Sequence, residues 1–226
     1  LVAARMNAEL GTRFDLEKLV NWCFEVGPLR QWGVIVGTWG GYDVSGLVGE
    51  ALGEGNYAFV MNGFDQAAAL VPLVRYDDRF ARAIGKWVLN LANASRLFYH
   101  PFLPDSLQDN EHWGKRYDAA AGIAHEALRR DWFGKSPYAT GDAIRGGWAD
   151  TNLGLYGSAH VGFLAAIVDT TTVPGILRLD VRKTDFFAHQ GYPTFLYYNP
   201  HDDTKTVHVD AGDGTHDLYD AVSNSF

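Results

Sequence analysis

Carboxylates set beside aromatic rings are the residues of this chain whose types and spacing best suit chemistry. Four stretches collect them. The first is Trp39-Gly-Gly-Tyr42-Asp43, and the second is Glu54-Gly-Asn-Tyr57, leading to Asn62 and Asp65. The third runs from Tyr99-His100 through Asp109 to Glu111-His112-Trp113. The fourth is Tyr138-Ala-Thr-Gly-Asp142-Ala-Ile-Arg145, with Tyr156 and His160 shortly after. Glycoside hydrolysis needs such a set: one acid protonates the leaving oxygen, a second stabilises or attacks the anomeric carbon or activates water, and rings stack on sugar faces.

On that reading Asp142 and Asp65 are the catalytic acid pair, with carboxyl groups expected roughly 5 to 9.5 Å apart. Glu111 is the substitute acid, and His160 is a further group able to move a proton. Arg145 tunes the charge of Asp142, while Tyr42, Tyr57, Trp113, Tyr138 and Tyr156 join Arg145 in contacting substrate. Each residue also has a plainer structural role. Asp65 suits the first turn of a helix, where the dipole favours an acid, and Asp142 suits a turn after Thr140-Gly141. Glu111 and His112 suit a solvated loop, His160 a helix start, and the aromatics an ordinary core.

These residues must be positioned by helices. From Phe80 to Phe98 the apolar residues Ala83, Ile84, Trp87, Val88, Leu91 and Ala94 recur at three- and four-residue steps, which predicts a helix with one buried face. The preceding run, Phe64 to Val74, has no polar stripe and predicts a helix packed on most sides, with Asp65 in its first turn. Residues 1 to 26 read as one or two helices, broken at Gly11-Thr12 and capped at Asp15. A third long helix is expected from about Asp118 to Trp132, and a fourth from Ser158 through Val168. The passage from Gly27 to Gly63 is too dense in glycine for a helix and reads as a cleft-lining loop carrying Trp32, Trp39, Tyr42, Tyr57 and Phe59. Beyond Pro174 the runs Thr194 to Tyr198, Thr206 to Val209 and Asp217 to Val222 predict short antiparallel strands.

Composition narrows the partners. A net charge of -8 and a pI near 5.4 argue against nucleic acid and anionic membranes, which need a basic face. No apolar run approaches the roughly 20 residues that cross a bilayer, so no membrane partner is expected. Cys23, the single cysteine, reads as an ordinary buried thiol in a helical pattern, and its being alone excludes both an intrachain disulfide and a thiolate-rich zinc site. Histidines lack metal-site spacing, the Asp210 to Asp217 run lacks a calcium-loop pattern, and Gly157-Ser158-Ala-His160 lacks the nucleophile-elbow glycines, so no cofactor or metal is expected. With 226 residues and 47% hydrophobic content, one large domain or one domain plus an appendage is expected.

The segments Asn62-Gly-Phe-Asp-Gln, Asn93-Ala-Ser-Arg-Leu-Phe-Tyr, Ser136-Pro-Tyr-Ala-Thr-Gly-Asp142 and Tyr192-Pro-Thr-Phe-Leu-Tyr-Tyr-Asn-Pro resemble uncharacterised bacterial proteins related to six-hairpin glycosidases. The resemblance implies a mainly α fold: an α/α toroid of helical hairpins over residues 1–175, followed by a small antiparallel β segment over residues 176–226. The chain has room for about three hairpins rather than six, so an incomplete toroid, a piece of a longer protein, a homo-oligomer or an additional chain is expected. A bacterial, extracytoplasmic setting accompanies the resemblance. The function expected first is a glycoside hydrolase acting on an oligo- or polysaccharide. A polysaccharide lyase is the alternative, with Tyr156 and His160 transferring a proton beside a uronate whose carboxylate Arg145 neutralises. A non-catalytic carbohydrate-binding or assembly protein is the third reading. The acidic net charge favours neutral sugars over uronates.

Overall fold

The computed structural model describes residues 1–24, 32–50, 57–109, 111–140, 157–186 and 191–226. Glu54, Asp142, Arg145 and Tyr156 lie outside the described residues. The N-terminal helices follow the sequence reading. Helix α1 (Val2–Leu10) ends on Gly11 in the left-handed conformation, which a residue without Cβ adopts at little cost. Helix α2 (Leu16–Phe24) starts at Asp15, whose carboxylate accepts the Lys18 amide at 3.0 Å.

The glycine-rich passage is not a loop lining a helical cleft. It supplies strands β1 (Trp32–Val34), β2 (Thr38–Trp39), β3 (Tyr42–Asp43), β4 (Val48–Glu50) and β5 (Tyr57–Phe59). β2 and β3 form a hairpin across Gly40-Gly41, both at positive φ, the backbone a two-residue turn demands. Gly49 is needed for another reason, because a Cβ there would collide with the Tyr57 carbonyl of the neighbouring strand.

β5 runs directly into helix α3 (Val60–Leu70), which begins four residues before the expected start. Asp65 therefore sits in the second turn, and its expected role as a first-turn acid is withdrawn. Helix α4 (Ala81–Ser95) matches the amphipathic stripe, burying Ile84, Trp87, Val88, Leu91 and Ala94. The Trp87 indole donates to the Gly46 carbonyl at 2.9 Å and ties α4 to the turn before β4. Helix α5 (Glu111–Tyr117) occupies part of the expected loop.

The expected helix from Asp118 to Trp132 is absent. Asp118 instead accepts the amides of Gly122 and Ile123 in a local turn, and Ala127–Arg129 forms strand β6. Strand β7 (Tyr138–Thr140) completes an antiparallel sheet in the order β1-β4-β5-β6-β7. Alanine and leucine in β6 favour a helix by propensity. Here pairing on both edges and burial of Leu128 outweigh that preference.

Helix α6 (Gly157–Ile167) packs along α3, and Gly157 permits the approach because a Cβ there would strike Val60. Strands β8 (Val168–Thr170), β9 (Leu177–Asp180) and β10 (Phe195–Tyr197) make a separate antiparallel sheet in the order β10-β9-β8. A buried ion pair joins this sheet to the segment after α3: Arg75 reaches Asp185 at 2.8 Å, and the Tyr76 hydroxyl donates to the same carboxylate at 2.7 Å.

The architecture is α+β, which overturns the α/α toroid and with it the resemblance to six-hairpin glycosidases. The C-terminal β expectation is corrected too. Of the three runs expected as strands only the first forms one, β10, and after Tyr198 the chain is irregular and mostly exposed, including Leu218, Tyr219, Val222 and Phe226.

Candidate functional site: an aromatic sheet face and an acid–histidine pair

Strand register sorts the five-stranded sheet into two faces. Gly33, Gly49, Ala58, Leu128 and Ala139 lie opposite one another in one row, and all are buried. Ala58, Leu128 and Ala139 join the apolar cluster that holds Phe64, Ile84 and Leu91 from the helices. The adjacent row, on the other face by strand alternation, is Trp32, Glu50, Tyr57, Arg129 and Tyr138. It crosses all five strands, a span of about 19 Å at the usual strand spacing.

This face opens toward β1. Trp32 is 43% exposed, Glu50, Tyr57, Phe59 and Arg129 are half-buried, and Tyr138 is 7% exposed. The Trp32 ring lies parallel to Phe59 at 6.4 Å and meets Tyr57 edge-on at 5.7 Å. The Arg129 guanidinium stands 5.3 Å from the Tyr57 ring centre and 4.7 Å from that of Trp132. At the closed end Asp109 accepts the Tyr138 hydroxyl at 2.6 Å and also the Thr140 hydroxyl, two residues further along the same face. Burial first, and the Asp109 hydrogen bond second, push the Tyr138 phenol well above the usual tyrosine range.

A second arrangement joins two candidates from distant parts of the chain. Nδ1 of His160 on α6 hydrogen-bonds Oδ1 of Asp65 on α3, and both side chains are partly exposed. With Nδ1–H donating to the carboxylate, Nε2 is left as the proton acceptor. Asp65 also lines a cleft of about 450 Å³ between α2 and α3, while His160 stands outside it.

The other candidates are dispersed. Tyr42 packs against the core from the β2–β3 hairpin. Glu111 and Trp113 lie on α5, where Trp113 contacts Tyr117 at 5.5 Å. Tyr57 and Tyr138 share the sheet row. Asp142, Arg145 and Tyr156 fall outside the described residues, so the expected Asp65–Asp142 spacing does too. No group of three or more His, Cys, Asp or Glu side chains suited to a metal occurs among the described residues.

Sequence reasoning left Arg129 and Glu50 out of the candidate set, and placed Asp109 in the third stretch without giving it a role. The available signal was alternation in Trp32-Gly-Val34 and Tyr57-Ala-Phe59, which glycine density obscured. No family model, curated protein or solved structure matches this chain. The likeness to six-hairpin glycosidases therefore loses its basis together with the toroid.

Proposed function

We propose that the protein binds a neutral glycan on the open half of the five-stranded sheet. The observation that carries this reading is the register row that sets Trp32, Glu50, Tyr57 and Arg129 side by side across four strands, with Phe59 parallel to Trp32. Sugar rings present C–H faces that pack on indole and phenol faces, and hydroxyl edges that pair with a carboxylate and a guanidinium. A sheet holds such groups at fixed spacing, so little ordering is needed on binding. The net charge of -8 works against polyanionic uronates and favours uncharged polysaccharides.

Among the three carbohydrate readings, binding has a described surface behind it. Asp65 pairs with His160, and its expected partner Asp142 lies outside the described residues. The test is affinity electrophoresis against xylan, glucomannan, mixed-linkage glucan and alginate. Retardation by at least one neutral polymer, weakened about tenfold or more by Trp32→Ala, supports the reading. Retardation by alginate alone, or retention of neutral-glycan binding in Trp32→Ala, rejects it.

A further inference from the structure

The cleft between α2 and α3 plays no part in sugar binding on the sheet, and its lining is asymmetric. Leu16, Leu19, Val20 and Cys23 form one wall, and Leu70 and Leu73 belong to the opposite side. Polar groups come from one helix face: Asn62, Asp65 and Gln66 recur at three- and four-residue steps on α3. Their roles differ. The Gln66 amide donates to the Cys23 carbonyl at 3.2 Å, so it braces the two walls. Asp65 gives Oδ1 to His160, and Oδ2 has no hydrogen-bond partner among the described residues. Among the described residues, no Lys, Arg or His side chain lines the cleft.

We propose that this cleft binds a small amphiphile with an aliphatic body and a primary ammonium head, the head held by Asp65. The volume of about 450 Å³ falls in the range of small-molecule sites, and an apolar lining with a few convergent polar groups is their usual form. Charge decides the head group. An ammonium donates to the open carboxylate oxygen, whereas a carboxylate or phosphate head would meet Asp65 with like charge and, among the described residues, no side-chain cation of the lining to offset it. His160 fixes the carboxylate from outside the cleft, so the acceptor is oriented before the ligand arrives.

Cys23 is a built-in reporter, being the only cysteine and lining the cleft. Burial raises its thiol pKa, so its reaction with a disulfide reagent is slow enough to follow. The full chain is labelled in the presence of n-octylammonium or octanoate, and melting is followed in parallel. Octylammonium at ten times its Kd slows Cys23 labelling about tenfold and raises Tm, while octanoate does neither. Asp65→Asn removes the discrimination. Ala69→Trp, at an exposed position of the lining, blocks entry with the circular dichroism spectrum unchanged. Equal protection by both probes, protection by neither, or an undiminished ammonium preference in folded Asp65→Asn overturns the proposal. It stands or falls independently of sugar binding, which is read at Trp32.

Discussion

Removing the carboxylate of Asp185 should be among the most damaging single changes. Its side chain is fully buried, and it is the shared acceptor for Arg75 and Tyr76. Asp185→Ala leaves the mostly buried Arg75 guanidinium without its counter-charge, a loss of about 3 kcal/mol. Urea denaturation measures it, and a loss below about 1 kcal/mol would show that the pair does not hold the small sheet in place. Tyr138 makes a prediction about pH. Its folded-state pKa is raised from 10.0, so the folded chain keeps the phenolic proton after the unfolded chain has released it. The stabilisation is full below pH 10 and fades as the pH rises toward the folded-state value. Tyr138→Phe should flatten that alkaline loss, and ultraviolet titration should show one fewer late-ionising tyrosine. At this scale the sequence made Asp65 and His160 candidates, but their pairing was illegible because 95 positions separate them. Asp185 gave no signal for the same reason, with its partners 109 and 110 positions away.

Helices and strands were legible to different degrees. Helix α4 was predicted nearly to its ends because one apolar stripe fits a 3.6-residue period, and α6 was found because its apolar run follows a clear break. The sheet was hidden. Its strands are three residues long, too short for alternation to stand out, and glycines occupy the places where neighbouring backbones approach. Ala127-Leu128 reads as helix from composition and becomes strand through pairing with β5 and β7, which no local signal announces. Two glycines of α6 give a paired prediction. Gly157→Ala must push Val60 and α3 away and should lose about 1 to 3 kcal/mol. Gly162→Ala meets nothing within 4 Å and should gain up to about 1 kcal/mol from helix propensity. Thermal melts of the two variants should move in opposite directions, and parallel shifts would contradict the described α3–α6 packing.

Among the described residues, helices lie behind one face of the five-stranded sheet, and that sheet's other face is partly open. This division also sets what the tail contributes. Residues 204–226 are nearly all exposed and hold no strand, so deleting them should leave Tm within about 2 °C of the parent. A larger drop would mean that the tail packs on the body. The most direct test of the open face is a titration of a neutral oligosaccharide into the protein labelled at its seven tryptophan indoles, followed by nitrogen–proton correlation spectra. The Trp32 indole resonance should shift in a saturable way while those of the buried Trp39 and Trp87 stay still. A motionless Trp32 resonance under saturating sugar, or shifts confined to other indoles, would contradict glycan binding on the sheet.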